Sequence, residues 1–363
     1  MWVGTSDPVP PPPQSGLAIT TTQAERHYWR GGILSTYTGR GWQPASMDLR
    51  QDVAPGELGT AFIGRRALDQ TFELPGGSLG MLFAANEPLQ AAGASLYAAQ
   101  PDGSLLAMGS STRYQVISWV PEVAADALRT ASPRLIPADV LSAYTQLPDE
   151  LPQRVRDLAA RITADAATPY DQVLAVQSYL RLSYVYDLEA APPPAGQDAV
   201  DNFLFETRAG FCSHFASAMA VLLRAQGVPA RVAVGYLNGE YDYDRGAYRV
   251  PASAAHAWVE VYFAGYGWIE FEPTPAFPSP DYGAPAAPAG VQPVQPRGER
   301  AALNPGRLLA ALGILIGLAV LTLVVIGLAR FWGDATRKAS PAARLYWRLR
   351  HMLAWGGLSA AVT

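Results

Sequence analysis

Apolar and polar positions change their period several times along this chain of 363 residues. From Leu17 to about Pro121 the apolar residues alternate in short runs, such as "ILSTY", "QTFEL" and "RYQVISWV". Gly, Pro and Asp turns such as Thr38-Gly39-Arg40-Gly41 separate them, which predicts a small β domain over 17–121. Its aromatics, Tyr28, Trp29 and Trp42, read as core. Near Pro148 the period lengthens. Val155, Leu158, Ala159 and Ile162 fall at i, i+3, i+4 and i+7, as one face of a helix requires. In "TPYDQVLAVQSYLR", Thr168 is placed as N-cap, Pro169 at N1 and Asp171 at N3. A third helix puts Phe215, Ala218, Met219 and Leu222 on one face and stops at Gly227 and Pro229. Strands follow at "ARVAVGYL", "AYRVP", "AAHAWVEVYF" and "GWIEFEP". These elements define a second domain over 135–277.

The ends differ in character. Residues 1–16 carry "DPVPPPPQ", an extended linker, and 278–306 form a Pro- and Ala-rich stalk. Leu308 to Ala329 is uninterrupted by charge for 22 residues, long enough for a helix to cross a membrane, and 307–330 is read as a transmembrane helix. Net charge is −4, but from Arg330 onward it is +5, leaving −9 on the body. The basic tail, 331–363, marks the cytoplasmic side, so the body is expected outside the cytoplasm; Arg297, Arg300 and Arg307 before the span weaken that bias without reversing it. The N-terminal residues have neither the basic nor the apolar region of a signal peptide. Upstream membrane helices are therefore expected before this stretch, and the tail is expected to be truncated. This charge distribution favours a membrane partner over nucleic acid.

The one cysteine, Cys212, excludes an intrachain disulfide and a cysteine-based zinc cluster. The four histidines are too scattered to suggest a metal site, and nothing implies an organic cofactor. Cys212 falls at or just before a helix N-terminus, where unpaired N–H groups stabilise a thiolate or an oxyanion. It needs a base. His214, two residues on, does not share its helical face. His256 sits on a strand face with Trp258, Glu260 and Tyr262. A turn centred near Ala264 would set it opposite Glu272, and a two-residue slip would bring Glu270 there instead. A carboxylate in that place holds the imidazole tautomer.

The order Cys, His, acid in "RAGFCSHFASAMAVLLRAQGVPARVAVGYL" and "HAWVEVYFAGYGWIEFEPT" resembles the transglutaminase-like family of papain-fold cysteine enzymes. "HYWRGGILSTYTGRGW" and "FLFETRAGFCSHFASAM" are also similar to bacterial membrane proteins that carry such a domain outside the cytoplasm. The resemblance implies an α+β fold: a papain-like transglutaminase core, with the Cys helix packed on an antiparallel sheet or barrel, flanked by the β domain and the membrane helix. It implies Cys212 as nucleophile, His256 as general base and acid, and Glu272 as orienting acid, although the family usually has aspartate there. Glu260, Trp258, Glu270 and His214 are candidates for support, each with a plain structural alternative. His27 and His351 have no partner that the sequence names.

Two functions of different class follow. One is an integral, extracytoplasmic cysteine acyltransferase or amidase that acts on protein or peptide carboxamides through a thioester, with transamidation, deamidation or proteolysis as outcomes. The other is a non-catalytic peptide-binding or envelope-scaffold module on the same fold. Oligomeric state is not encoded in any pattern found.

Overall fold

The structure is a computed structural model that describes residues 1–11, 26–44, 62–77, 80–93, 97–99, 102–107, 111–280 and 282. The expected transmembrane helix, the basic tail with His351 and nearly all of the stalk lie outside the described residues. Among the described residues no helix is long and apolar enough to cross a membrane.

The principal strands are β1 (Trp2–Thr5), β2 (Tyr28–Tyr37), β3 (Trp42–Pro44), β4 (Arg65–Glu73), β5 (Glu87–Ala92), β6 (Arg113–Pro121), β7 (Ala230–Leu237), β8 (Glu240–Asp242), β9 (Ala247–Arg249), β10 (Ala255–Phe263) and β11 (Gly267–Phe271). The helices are α1 (Ala125–Arg129), α2 (Ala138–Tyr144), α3 (Gln153–Thr163), α4 (Pro169–Ser183), α5 (Ala199–Asp201) and α6 (Cys212–Arg224). One antiparallel sheet runs β8-β9-β1-β4-β6-β5, and a second runs β11-β10-β7-β2-β3.

Helix α6 is the centre of the larger core. Residues from Phe215 to Arg224 are buried almost without exception, so the helix is apolar on nearly every side and must be surrounded. Val155 of α3, Val173 and Val176 of α4, and Ala257, Val259 and Val261 of β10 share its core. Strand alternation then sends His256, Trp258 and Glu260 to the other face of β10. There Trp258 joins Tyr28, Ile33 and Ala233. Helix α4 starts as its sequence requires. The Thr168 hydroxyl oxygen accepts the Asp171 amide at 3.2 Å and donates to the Asp171 carboxylate at 2.7 Å.

Three boundaries drawn from the sequence are crossed by the chain. Trp2–Thr5, assigned to a linker, is a strand: Val3 is fully buried and β1 pairs with both β4 and β9. The prolines that suggested a spacer begin only at Pro8. The stretch 17–121 divides between the two sheets, with β2 paired to β7 in the sheet that also holds β10 and β11. At the other end the chain stays on the core past residue 277, where the Ala125 amide donates to the Tyr282 carbonyl at 2.8 Å.

Charge explains why β2 cannot belong elsewhere. Glu260 is fully buried on β10. Arg30 of β2 donates to both its oxygens at 3.2 and 3.1 Å, and Arg231 of β7 donates from Nε at 2.8 Å. Arg231 also lies 3.9 Å from the centroid of the Trp268 ring. Burial pushes the Glu260 carboxyl up, but the two guanidinium groups outweigh it and hold its pKa below the usual range. Glu260, offered by the sequence as a support for the histidine strand or as a structural ion pair, is the latter. Glu260→Ala leaves two buried cations without their anion. Chemical denaturation should show a loss of about 3–5 kcal/mol, the cost of breaking a buried pair from one side.

Candidate active site

Cys212 is the first residue of α6 and is partly exposed. The chain reaches it through a π-helical turn, Asn202–Thr207, that ends on Arg208 with a left-handed φ of 52°. Residues Ala209–Gly210 then pair in parallel with Val185–Tyr186, and the Asp187 amide donates to the Gly210 carbonyl at 2.8 Å. This short ladder fixes where α6 begins. The Phe211 amide donates to His214 Nδ1 at 3.3 Å, so His214 folds back and closes one open donor of the helix start. A Cβ on Gly210 would lie 2.7 Å from the His214 ring, so only glycine leaves the ring room. Burial lowers the His214 pKa and favours the neutral ring that this acceptor role needs. His214, a candidate for support, is a helix cap in this geometry. The amides of Cys212 and Ser213 stay at the open end of the helix.

His256 lies at the start of β10, almost fully buried. Its ladder partner on β7 is Gly235, where a Cβ would come within 2.0 Å of the Trp29 carbonyl oxygen. His256 Nε2 is 2.6 Å from Glu272 Oε2. Nδ1 has no partner of full hydrogen-bond geometry among the described residues, yet the Cys212 thiol is close enough to act on the ring. The looser contact is the usual state of a nucleophile and its base before substrate arrives. Burial pushes the imidazole pKa down. The neighbouring Cys212 side chain and the Glu272 carboxylate outweigh this and raise it to about 9. Because that exceeds the unfolded value near 6.5, the protonated ring contributes stability that is complete below pH 6.5 and fades as pH rises through about 9.

Glu272 is fully buried just beyond β11. The turn after β10 is centred on Gly265 rather than Ala264, because Phe263 pairs with Gly267 and the Tyr266 amide donates to the Phe263 carbonyl. This later centre shifts the register by two residues and pairs Glu260 with Glu270. Carried past Phe271, the same register sets Glu272 one diagonal step from His256 instead of directly across. The extra methylene of glutamate spans that diagonal. Four more groups fix it: Tyr28 Oη donates to Oε2 at 3.0 Å, the Thr274 amide donates to Oε1 at 2.9 Å, and the Glu272 amide donates to Gln177 Oε1 at 3.0 Å. Arg181 Nη1 donates to the carbonyls of Glu272, Thr274 and Phe277 at 3.0, 2.6 and 2.8 Å. The Phe277 ring in turn lies 4.5 Å from the His256 ring.

The remaining candidates lie apart from the imidazole. Trp258 stacks on Tyr28 at 4.6 Å and is fully buried, so it packs. Glu270, the alternative acid, faces Glu260 and accepts from Asn86 Nδ2 at 3.1 Å. His27, which had no partner in sequence, has Nε2 2.6 Å from Asp7 Oδ2. Tyr28, Gln177, Arg181 and Phe277 were missed as site residues. Each reaches Glu272 or His256 from a distant part of the chain or from beyond the acid, and none sits in a local pattern. Among the described residues no group of acidic, histidine or cysteine side chains could hold a metal ion.

Glu270 makes a test of burial possible. Burial, then the charge of Glu260, raises its carboxyl pKa to about 7. The folded state therefore keeps a proton that the unfolded chain releases near pH 4.5. Its contribution is complete below pH 4.5 and is lost as pH rises through 7, on the order of 3 kcal/mol in all. Glu270→Gln should stabilise the protein at pH 8 and flatten its thermal melting point between pH 5 and 8.

Residues 156–273 match the core of the Transglutaminase-like superfamily, and residues 13–125 match the TgpA N-terminal domain. Uncharacterized protein YebA of Bacillus subtilis (strain 168) is 33% identical over 294 residues, 74% of this chain and 40% of that protein. A protein-glutamine gamma-glutamyltransferase of Pseudomonas aeruginosa is 43% identical over 130 residues, 36% of this chain and 19% of that protein. The chain thus spans less than half the length of either relative. The crystal structure of the periplasmic domain of TgpA from Pseudomonas aeruginosa aligns with a TM-score of 0.54 at 28% identity, over 75% of this chain and 86% of that one. Its ethylmercury-bound form aligns with a TM-score of 0.53 at 29% identity, over 75% and 88%. The chain thus carries a transglutaminase-like core and a TgpA N-terminal domain with homology to TgpA, consistent with a transglutaminase-like family.

Proposed function

We propose that the protein is a membrane-tethered, extracytoplasmic cysteine acyltransferase or amidase acting on protein or peptide carboxamides. One observation carries this reading. Cys212 stands at the open end of a buried helix beside an imidazole whose other nitrogen is 2.6 Å from a buried carboxylate. The apolar run 308–329 with its basic flank supports the tether. The periplasmic TgpA domain that aligns with this chain supports the compartment. The Pseudomonas relative's name supports a glutamine side chain as donor.

In the first half-reaction Cys212 Sγ attacks as a thiolate, its proton already carried by His256; a bond forms between the sulfur and the carbonyl carbon, and the carbonyl π pair moves to oxygen. The Cys212 and Ser213 amides face that oxyanion. As the intermediate collapses, the C–N bond breaks. Its electron pair stays on nitrogen, which takes a proton from His256 and leaves as ammonia. His256 enters already protonated, since its pKa is raised to about 9. In the second half an amine or water attacks the thioester and gives its proton to Nδ1, and the C–S bond breaks. Glu272 holds the Nε2–H throughout, so Nδ1 is the nitrogen that exchanges the proton. A binding module would have no use for a buried histidine set between a cysteine and a carboxylate.

The test is incorporation of a labelled primary amine into a glutamine-containing protein by the full chain, read by intact mass. Cys212→Ala should abolish labelling. Glu272→Gln should lower kcat by roughly a hundredfold or more, because the ring tautomer is no longer held. Activity of the unaltered chain should fall as pH rises through about 9, where His256 loses its proton. Thiol alkylation at Cys212 with no amide turned over to amine, acid or cleaved product would favour the binding-module reading.

A further inference from the structure

We infer that Tyr28, on the N-terminal strand β2, is a positioning residue of the active site, tethering the Glu272 carboxylate for its work on His256. The inference rests on the reading in which His256 is the base. Tyr28 lies 244 residues from Glu272 along the chain, yet its hydroxyl donates to the same oxygen, Oε2, that meets His256 Nε2. The phenol is buried and stacks on Trp258 at 4.6 Å and 19°. Its ring lies nearly parallel to that of His256, with centroids 6.1 Å apart. Tyr28 is buried, so its hydroxyl has little access to solvent.

The physical need comes from Glu272 itself. A glutamate has one more rotatable bond than the aspartate usual in this family. A carboxylate on the longer stem can swing unless both oxygens are held. The Thr274 amide holds Oε1, and Tyr28 shares Oε2 with the imidazole. Tyr28 stays a donor, because burial and then the Glu272 and Glu270 charges raise its pKa well above the ordinary phenol value. Sharing has an electrostatic consequence. Charge that Oε2 directs toward the phenol is not directed toward the imidazolium, so Tyr28 moderates the basicity of His256.

The groups that face His256 are few. Cys212 comes from α6, Glu272 from beyond β11 and Tyr28 from β2. Arg181 of α4 lies behind Glu272 and acts on it and on Tyr28, and Tyr186 feels both Cys212 and Glu272. Glu270 acts on Tyr28. None of these other groups donates a side-chain hydrogen bond to Oε2.

The experiment titrates the histidine side chains of the full chain by NMR, with His256 identified by its loss in His256→Asn, beside steady-state amine transfer. Tyr28→Phe keeps the ring on Trp258 and removes only the hydroxyl. The expected result is a His256 titration moved up by roughly half a pH unit, a kcat about tenfold lower and an unchanged KM. In Glu272→Gln the same change at Tyr28 should add no further loss. Should Tyr28→Phe fold poorly, site-specific 3-fluorotyrosine at position 28 gives a more acidic phenol with the same ring. The stronger donor should then move the His256 titration down. A lowered melting point with His256 and kcat unmoved overturns the inference, as do losses that add independently with Glu272→Gln. If the unaltered chain transfers no amine, the proposed activity fails, while the His256 titration still decides whether Tyr28 acts on the pair.

Discussion

A carboxylate with no exposure to solvent, Glu260, stands in the middle of β10, and the rest of the molecule is arranged around it. Removing such an ion from water costs several kcal/mol unless opposite charge and hydrogen bonds replace the water. The compensation comes from two directions. Arg231 arrives on the neighbouring strand β7, and Arg30 arrives on β2 from the first tenth of the chain. The N-terminal strands and the transglutaminase-like core are therefore joined by this buried charge cluster. A second acid, Glu270, faces Glu260, and burial, then the Glu260 charge, raises its pKa to about 7.

The same strand face leads to the chemistry. Reading back from Glu260 along β10, Trp258 and then His256 point to the same side. Trp258 separates the structural ion pair from the imidazole, and Tyr28 covers it. His256 thus sits in a buried wall, and Cys212, at the start of α6, lies close enough to act on its ring. Its partner acid comes through a change of register, not through a direct pair. A three-residue turn at Gly265 moves Glu272 off the straight-across position, and the longer side chain recovers the distance.

Local periodicity was enough to read the helices α3, α4 and α6, the capping at Thr168 and the strands β10 and β11. Each depends on residues within a dozen positions of one another. The Cys212, His256 and Glu272 candidates came from a helix start, a strand face and the order of a resembling family, and the structure sets His256 2.6 Å from Glu272, though not through the straight-across pair that the turn suggested. What stayed hidden depends on contacts across the chain. No spacing links Tyr28 to Glu272 or Arg30 to Glu260. The linker reading of residues 1–16 followed the prolines, whose signal is strong, and passed over "WVGT", whose strand character exists only because β4 and β9 flank it. The turn centre was misplaced by one residue, since two left-handed glycines, Gly265 and Gly267, bracket Tyr266 and fix the loop.

Arg181 acts on the way out of the fold. One of its nitrogens gathers three carbonyls between Glu272 and Phe277. The chain beyond them continues toward the proline-rich segment. Any pull on that segment meets the Ala125–Tyr282 bond first and then the bonds at Phe277 and Thr274 before it reaches the acid. Arg181 is a mechanical strain relief: like the clamp where a cable enters a plug, it keeps tension outside the fold from being felt at the carboxylate that steadies His256.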